Sequence, residues 1–203
     1  MAEQHYFTSS PDTPESRRTI RVELAGRERE VTTANGIFSP EGVDKGTEAL
    51  LRRVPEPAEA GTFIDIGCGW GPIALTMALE SPAATVYAVD VNERSLGLTR
   101  DNATALGCEN IVASTPDKVP AGVGFDLIWS NPPIRVGKAA LHEILLTWLP
   151  RLNVGGEAYL VVQKNLGSDS LQSWLGETLG EGYEIERFAR EKAFRVLRIE
   201  RLA

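Results

Sequence analysis

The chain has 203 residues, 42% of them hydrophobic and 24% charged, with a formal net charge of −7 at pH 7. This composition excludes disordered, collagen-like and low-complexity classes, and a domain of this size buries roughly 70% of its unfolded surface. The acidic balance counts against a protein that grips nucleic acid through a wholly basic surface.

Residues 1–16 are polar, contain Pro11 and Pro14, and read as an extended lead-in. The runs TIRVEL (19–24) and REREVTT (27–33) alternate with period two around Ala25-Gly26, which predicts a hairpin. A loop over 34–47 leads to a helical pattern from Thr47 that Pro55 stops. From residue 62 strands and helices alternate: strand 62–66, helix 71–80, strand 85–90, helix 93–107 closed by Gly107, strands 110–114 and 125–130, helix 138–149, strand 155–163 and helix 170–179. The tail offers two more strands, 183–189 and 193–202, with a reversal at Arg190-Glu191. This order predicts one α/β domain over 1–203 with a doubly wound, mostly parallel sheet. The last two strands must pair antiparallel, because a parallel pair needs a long crossover.

No apolar run approaches the ~18 residues of a membrane helix, and the first residues hold no apolar signal segment, so a soluble cytoplasmic protein without membrane partners is expected. Cys68 and Cys108 have no metal-like spacing, and neither a metal site nor a disulfide framework is expected.

In doubly wound sheets ligands sit beyond the carboxyl ends of the strands. There the chain places Asp65-Ile66-Gly67-Cys68-Gly69-Trp70-Gly71-Pro72 between a strand and a helix. Glycines allow a tight turn and a close ligand approach. A hydride-transfer dinucleotide fold wants G-x-G-x-x-G, and here Pro72 stands three places after Gly69. Asp65 would repel a pyrophosphate and attract an ammonium. Asp90 closes the next strand and suits the two hydroxyls of a ribose. An amine partner and a ribose partner together describe S-adenosylmethionine. Two acids at helix starts also satisfy the helix dipole, which is the purely structural alternative. Cys68 reads as a small packing residue, since no histidine lies nearby in sequence to activate it.

Ser130-Asn131-Pro132-Pro133-Ile134 follows the strand FDLIWS. The two prolines remove backbone donors and favour extended neighbours, leaving acceptors: the Asn131 side-chain oxygen and the Pro132 carbonyl. Two acceptors taking both N–H bonds of an exocyclic amine would aim its lone pair at a methyl donor and stabilise the charge developing on nitrogen.

These residues resemble the class I S-adenosylmethionine-dependent methyltransferases of the methyltransferase small domain type, which include bacterial 16S ribosomal RNA guanine-N2 enzymes. The resemblance rests on DIGCGWGPIAL, VDVNERSL and SNPPIRVGK, together with HYF at 5–7, GIFSPEGVDKGTEALL and LVVQKNLG. It implies a Rossmann-like seven-stranded sheet with its last strand antiparallel, preceded by an N-terminal extension and cofactor-covering loop (1–60) ahead of the core (61–203). It implies catalytic roles for Asn131, Pro132 and Pro133. It further implies a cofactor set of Asp65, Gly67, Cys68, Gly69, Asp90, Val91 and Asn131, with Phe38, Asp44, Gly46 and Thr47 on a loop over the methionine end. For the contact to the adenine amine the sequence offers Asp117, displaced by Pro116. Many relatives follow Asn-Pro-Pro with an aromatic residue that stacks on the base, whereas this chain has Ile134, which offers the substrate an apolar face; Arg135, Lys138 and Lys164 are candidate phosphate contacts.

The expected function is methyl transfer to a nucleobase exocyclic amine, guanine N2 of 16S ribosomal RNA, with ribosomal RNA or the 30S subunit as partner. Five arginines against Glu23 and Glu28 between Arg17 and Arg29 make a local basic stretch that could face RNA. The alternatives are a protein side-chain amide or small metabolite as substrate, and a non-catalytic S-adenosylmethionine-binding module. His5 and His142 need no catalytic role, and Trp70, Trp129, Trp148 and Trp174 read as core anchors.

Overall fold

The computed structural model describes residues 13–203; the HYF segment and His5 lie outside them. Strands β1 (Arg17–Leu24) and β2 (Arg27–Ala34) form the expected hairpin, in register from Arg17 opposite Ala34 to Leu24 opposite Arg27. Its two turn residues, Ala25 and Gly26, have φ of 49° and 68°, the left-handed pair that matches the twist of a two-residue hairpin.

The main sheet has seven strands: β3 (Thr62–Ile66), β4 (Thr85–Val89), β5 (Ile111–Ser114), β6 (Phe125–Ser130), β7 (Leu152–Gln163), β8 (Tyr183–Glu191) and β9 (Phe194–Arg201). Their order is β5-β4-β3-β6-β7-β9-β8. All neighbouring pairs from β5 to β7 are parallel, and β9 runs antiparallel to both β7 and β8. The last strand is thus the reversed one. The tail reversal falls at Lys192-Ala193 rather than Arg190-Glu191, because Arg190 and Glu191 still pair with Arg195 and Phe194. Lys192 takes the left-handed conformation (φ 51°) that closes this tight turn.

One face of the sheet packs on the hairpin, α1 (Lys45–Leu51), α2 (Pro72–Glu80) and α3 (Glu93–Leu106), around buried Leu24, Leu50, Leu75, Leu96 and Trp129. The other packs on α4 (Lys138–Trp148) and α5 (Ser168–Leu179), around Phe125, Leu145, Leu160 and Leu175. Each such side chain contributes about 1.5–3 kcal/mol by leaving water. Asn102 on α3 locks the hairpin down: its Oδ1 accepts from Thr32 N at 2.7 Å, and its Nδ2 donates to the Thr32 carbonyl at 2.9 Å and the Trp70 carbonyl at 3.0 Å.

Helix α1 starts earlier than the pattern from Thr47 implies. Asp44 caps it, accepting from Gly46 N at 2.7 Å, so Lys45 and Gly46 belong to its first turn. Among the described residues no helix is long and apolar enough to cross a membrane.

Candidate active site

A cavity of about 560 Å³ opens at the carboxyl ends of β3, β4, β6 and β7, a size suited to one medium-sized ligand. Of the glycine loop, Gly67 lines this cavity. Gly67 N and Cys68 N both donate to the Val89 carbonyl, Gly69 N to Asp90 Oδ2 at 2.9 Å, and Gly71 N to the Cys68 carbonyl. With these amides consumed inside the protein, the loop offers no row of free donors for a pyrophosphate. Gly67 is exposed to the cavity with φ of 79°, and a Cβ there would meet nothing nearer than Pro133 Cδ at 4.0 Å. The backbone can therefore be approached closely by a ligand.

Asp90 lines the cavity, and its two oxygens accept from Gly69 N and from Asn92 N, both at 2.9 Å. Each carboxylate oxygen keeps a lone pair for a ligand hydroxyl. Burial raises its pKa, opposed by the amides of Asn92, Gly69 and Val91. Val91, 43% exposed, and Phe38, 45% exposed, present apolar surface to the same space, as does Pro116. A carboxylate for two hydroxyls beside apolar faces fits the adenosine half of S-adenosylmethionine.

Asp65 occupies a different place from the one its sequence position suggests. It is fully buried beneath α2, where Oδ2 accepts from Ala74 N at 3.0 Å, and it does not line the cavity. It serves the first turn of α2 as a buried acceptor. Its Oδ1 has no partner among the described residues. Burial pushes its pKa well above the usual carboxylate range, and the nearby Asp90 adds to the rise. The same burial, with Asp90 and Asp65 close by, raises the Cys68 thiol, so Cys68 is a neutral packing group.

Asn131 follows β6 at the centre of the site. Its Nδ2 donates to Asp44 Oδ2 at 3.0 Å and to Thr47 Oγ1 at 3.2 Å, which fixes the carboxamide and leaves Oδ1 without a bond among the described residues. Gly46 makes this possible: a Cβ on it would lie 3.1 Å from Asn131 Nδ2 and 3.2 Å from its Oδ1. The Pro132 carbonyl accepts from Ile134 N at 2.8 Å and retains one lone pair. Ser130, fully buried, donates to the Ile66 carbonyl and ties the end of β6 to β3.

The covering segment is tied to the core. Trp70 Nε1 donates to the Ser39 carbonyl at 3.2 Å, Asn92 Nδ2 to the Gly36 carbonyl at 3.0 Å, and Ser39 Oγ to the Gly42 carbonyl.

Of the sequence-derived candidates, the main cavity brings together Phe38, Asp44, Gly67, Asp90, Val91, Asn131, Pro132, Pro133 and Ile134. Thr47, Cys68 and Gly69 line a small adjoining cavity of about 20 Å³. Asp117, Lys138 and Lys164 are exposed and line neither cavity. Asp117 is replaced at the wall by its neighbour Pro116, and Arg135 belongs to the short turn Ile134–Val136. Three of the five arginines of the hairpin stretch are ion-paired: Arg17 with Glu15 and Asp101, Arg18 with Glu41, and Arg21 with Glu30.

Sequence reasoning missed Ile66, Val89, Ser95, Val136, Ala140, Ile144, Trp148, Gln163 and Phe194, which with Pro116 complete the wall. Ala140, Ile144 and Trp148 recur every fourth residue on α4, a readable stripe that passes for ordinary core. Gln163 and Phe194 come together only through the pairing of β7 with β9.

The methyltransferase small domain family matches residues 28–198. A Bacillus subtilis protein of uncharacterised function, YbxB, is 33% identical over 181 residues, covering 88% of this chain and 90% of its own length. Ribosomal RNA small subunit methyltransferase C of Cronobacter sakazakii is 31% identical over 172 residues, covering 82% of this chain; the chain spans 49% of that protein, about half its length. A solved T. thermophilus 16S rRNA N2 G methyltransferase (RsmC), in complex with AdoMet and guanosine, shares the fold with a TM-score of 0.76 at 23% identity, over 93% of this chain and 51% of that one. The matched span takes in the glycine loop, Asp90 and the Asn-Pro-Pro segment alike, and the chain belongs to the methyltransferase small domain family of class I S-adenosylmethionine-dependent methyltransferases.

Proposed function

We propose that this protein methylates a nucleobase exocyclic amine, guanine N2 of 16S ribosomal RNA, in the cytoplasm, acting through one domain that spans the chain. The observation that carries the reading is the fixed carboxamide of Asn131. With Nδ2 spent on Asp44 and Thr47, Oδ1 is the atom offered to the cavity. Oδ1 and the free lone pair of the Pro132 carbonyl accept the two N–H bonds of the incoming amine, and its lone pair is left facing the donor side of the cavity. When bound, S-adenosylmethionine supplies a sulfonium methyl that is already electrophilic. Asn131 and Pro132 stabilise the positive charge that develops on nitrogen, and a proton leaves the product amine to solvent. Support for the RNA substrate comes from the relatives named as small-subunit ribosomal RNA methyltransferases and from the guanosine bound by the T. thermophilus protein.

A second reading keeps the chemistry and takes a protein side-chain amide as acceptor. The ion pairs of Arg17, Arg18 and Arg21 and the net charge of −7 favour it, since both weaken the attraction for a phosphate backbone. Transfer of labelled methyl from S-adenosylmethionine to 30S subunits, stripped RNA and total protein separates the two. Label in RNA that disappears with Asn131→Ala supports the first reading, and label confined to protein supports the second.

A further inference from the structure

We infer that Gln163 and Phe194 are the base-recognition pair of this site, with the Phe194 ring stacking on the target guanine and the Gln163 carboxamide reading its N1–H and O6. The inference rests on the guanine-N2 reading above and names the residues that would make it selective.

The sheet order separates two halves of the cavity. Asn131 follows β6; Asp90 and Val91 follow β4, on one side of it, and β7 and β9 lie on the other. A donor whose ribose sits on Asp90 leaves the β7–β9 side for the acceptor base. There Gln163 ends β7 and Phe194 begins β9, directly opposite each other in the antiparallel ladder. Paired residues of a ladder project from the same face, so both reach the cavity together. Phe194 is half-buried and packs against the core, which fixes its ring. The turn before it is held by Lys164 N donating to the Ala193 carbonyl at 2.8 Å.

The chemistry of the pair matches one base edge. Ile134 gives the cavity an aliphatic face, and Phe194 supplies a ring from the β9 side, on which a base can stack. When the guanine N2 amine meets Asn131, the next atoms along the same edge are N1–H, a donor, and O6, an acceptor. The Gln163 carboxamide offers an acceptor oxygen and a donor nitrogen, and it makes no hydrogen bond among the described residues.

The test measures binding of guanosine and of 2-aminopurine riboside to the protein loaded with S-adenosylhomocysteine, by calorimetry, alongside methyl transfer to 30S RNA digested to nucleosides. 2-Aminopurine keeps the N2 amine and lacks both N1–H and O6. The wild type is expected to prefer guanosine by about tenfold or more, and Gln163→Ala to lose that preference. Phe194→Leu is expected to weaken both nucleosides about tenfold or more, and Phe194→Tyr to restore them. S-adenosylhomocysteine affinity in all variants stays at the wild-type value, which shows that the fold is intact. Label in N2-methylguanosine with both variants binding like wild type would overturn the pair and leave the reaction standing. Absence of RNA label with the nucleoside preference intact and lost in Gln163→Ala would defeat the reaction and leave the pair.

Discussion

Asn131 and Asp44, separated by 87 positions, meet at 3.0 Å from Nδ2 to Oδ2, and this bond joins the end of β6 to the start of α1. The same Asp44 oxygen accepts from Gly46 N, so one carboxylate both starts α1 and orients the carboxamide. Asn131→Ala is expected to lower the methyl transfer rate about a hundredfold or more while S-adenosylmethionine binding, read by calorimetry, stays within about twofold. Asn131→Asp would place two carboxylates in contact and raise the pKa of the pair. Its residual activity should therefore rise as pH falls, because the shared proton restores the lost bond, and a pH–rate profile shows it.

Gly46→Ala tests the same contact from the other side. Helix propensity alone favours alanine by about 1 kcal/mol. The new Cβ, however, would stand 2.9 Å from Asp44 Oδ2 and press on the Asn131 carboxamide. The expected result is a melting temperature within a few degrees of wild type with turnover down about tenfold or more, a split that a purely structural glycine would not give.

Asp65 predicts an unusual pH dependence. Its folded pKa is raised, by burial above all, so the folded state holds its proton more tightly than the unfolded chain does. Its ionisation therefore destabilises the free protein at neutral pH, and the penalty is relieved as pH falls through the raised pKa toward the ordinary carboxylate range. Glu41, Asp117 and Glu191 are lowered, and they withdraw their stabilisation only below that window. His142, lowered by burial, acts with the opposite sign. The comparison is thus between wild type and Asp65→Asn, melted from about pH 8 to about pH 5: the wild type should gain stability relative to the variant on acidification. A constant difference across the range would refute the assignment.

The hairpin arginines yield a prediction about salt. Arg17, Arg18 and Arg21 already have carboxylate partners. Replacing Arg17 and Arg21 by alanine is expected to leave the slope of log affinity for RNA against log salt unchanged, whereas a residue neutralising one phosphate would shift it by about 0.9.

Much of the site is legible in the sequence because its parts are local. The glycine loop, Asp90 and Asn-Pro-Pro each sit at a strand end, and a strand end in an alternating α/β pattern faces the ligand. Asp65 misleads because it stands one residue inside β3. Its side chain goes to the face covered by α2, while the loop after Ile66 reaches the cavity. The start of α1 is obscured by Gly46, a poor helix former kept where Asn131 needs the space. Lys164 stands next to the wall residue Gln163 and Lys138 two places from Val136 and Ala140, yet both are exposed and line neither cavity. The meeting of Gln163 with Phe194 depends on β9 entering the sheet beside β7, a long-range pairing that no local pattern encodes.

That insertion also orders the events of synthesis. β9 follows β8 along the chain yet lies between β8 and β7 in space, so an emerging chain can finish β8 before it has any strand to lean on. Until residue 194 and its successors leave the ribosome, β7 is an open edge and the cavity lacks its Phe194 wall. The nascent polypeptide can assemble the Asp90 side of the pocket first, and the Phe194 side closes only when β9 is threaded home.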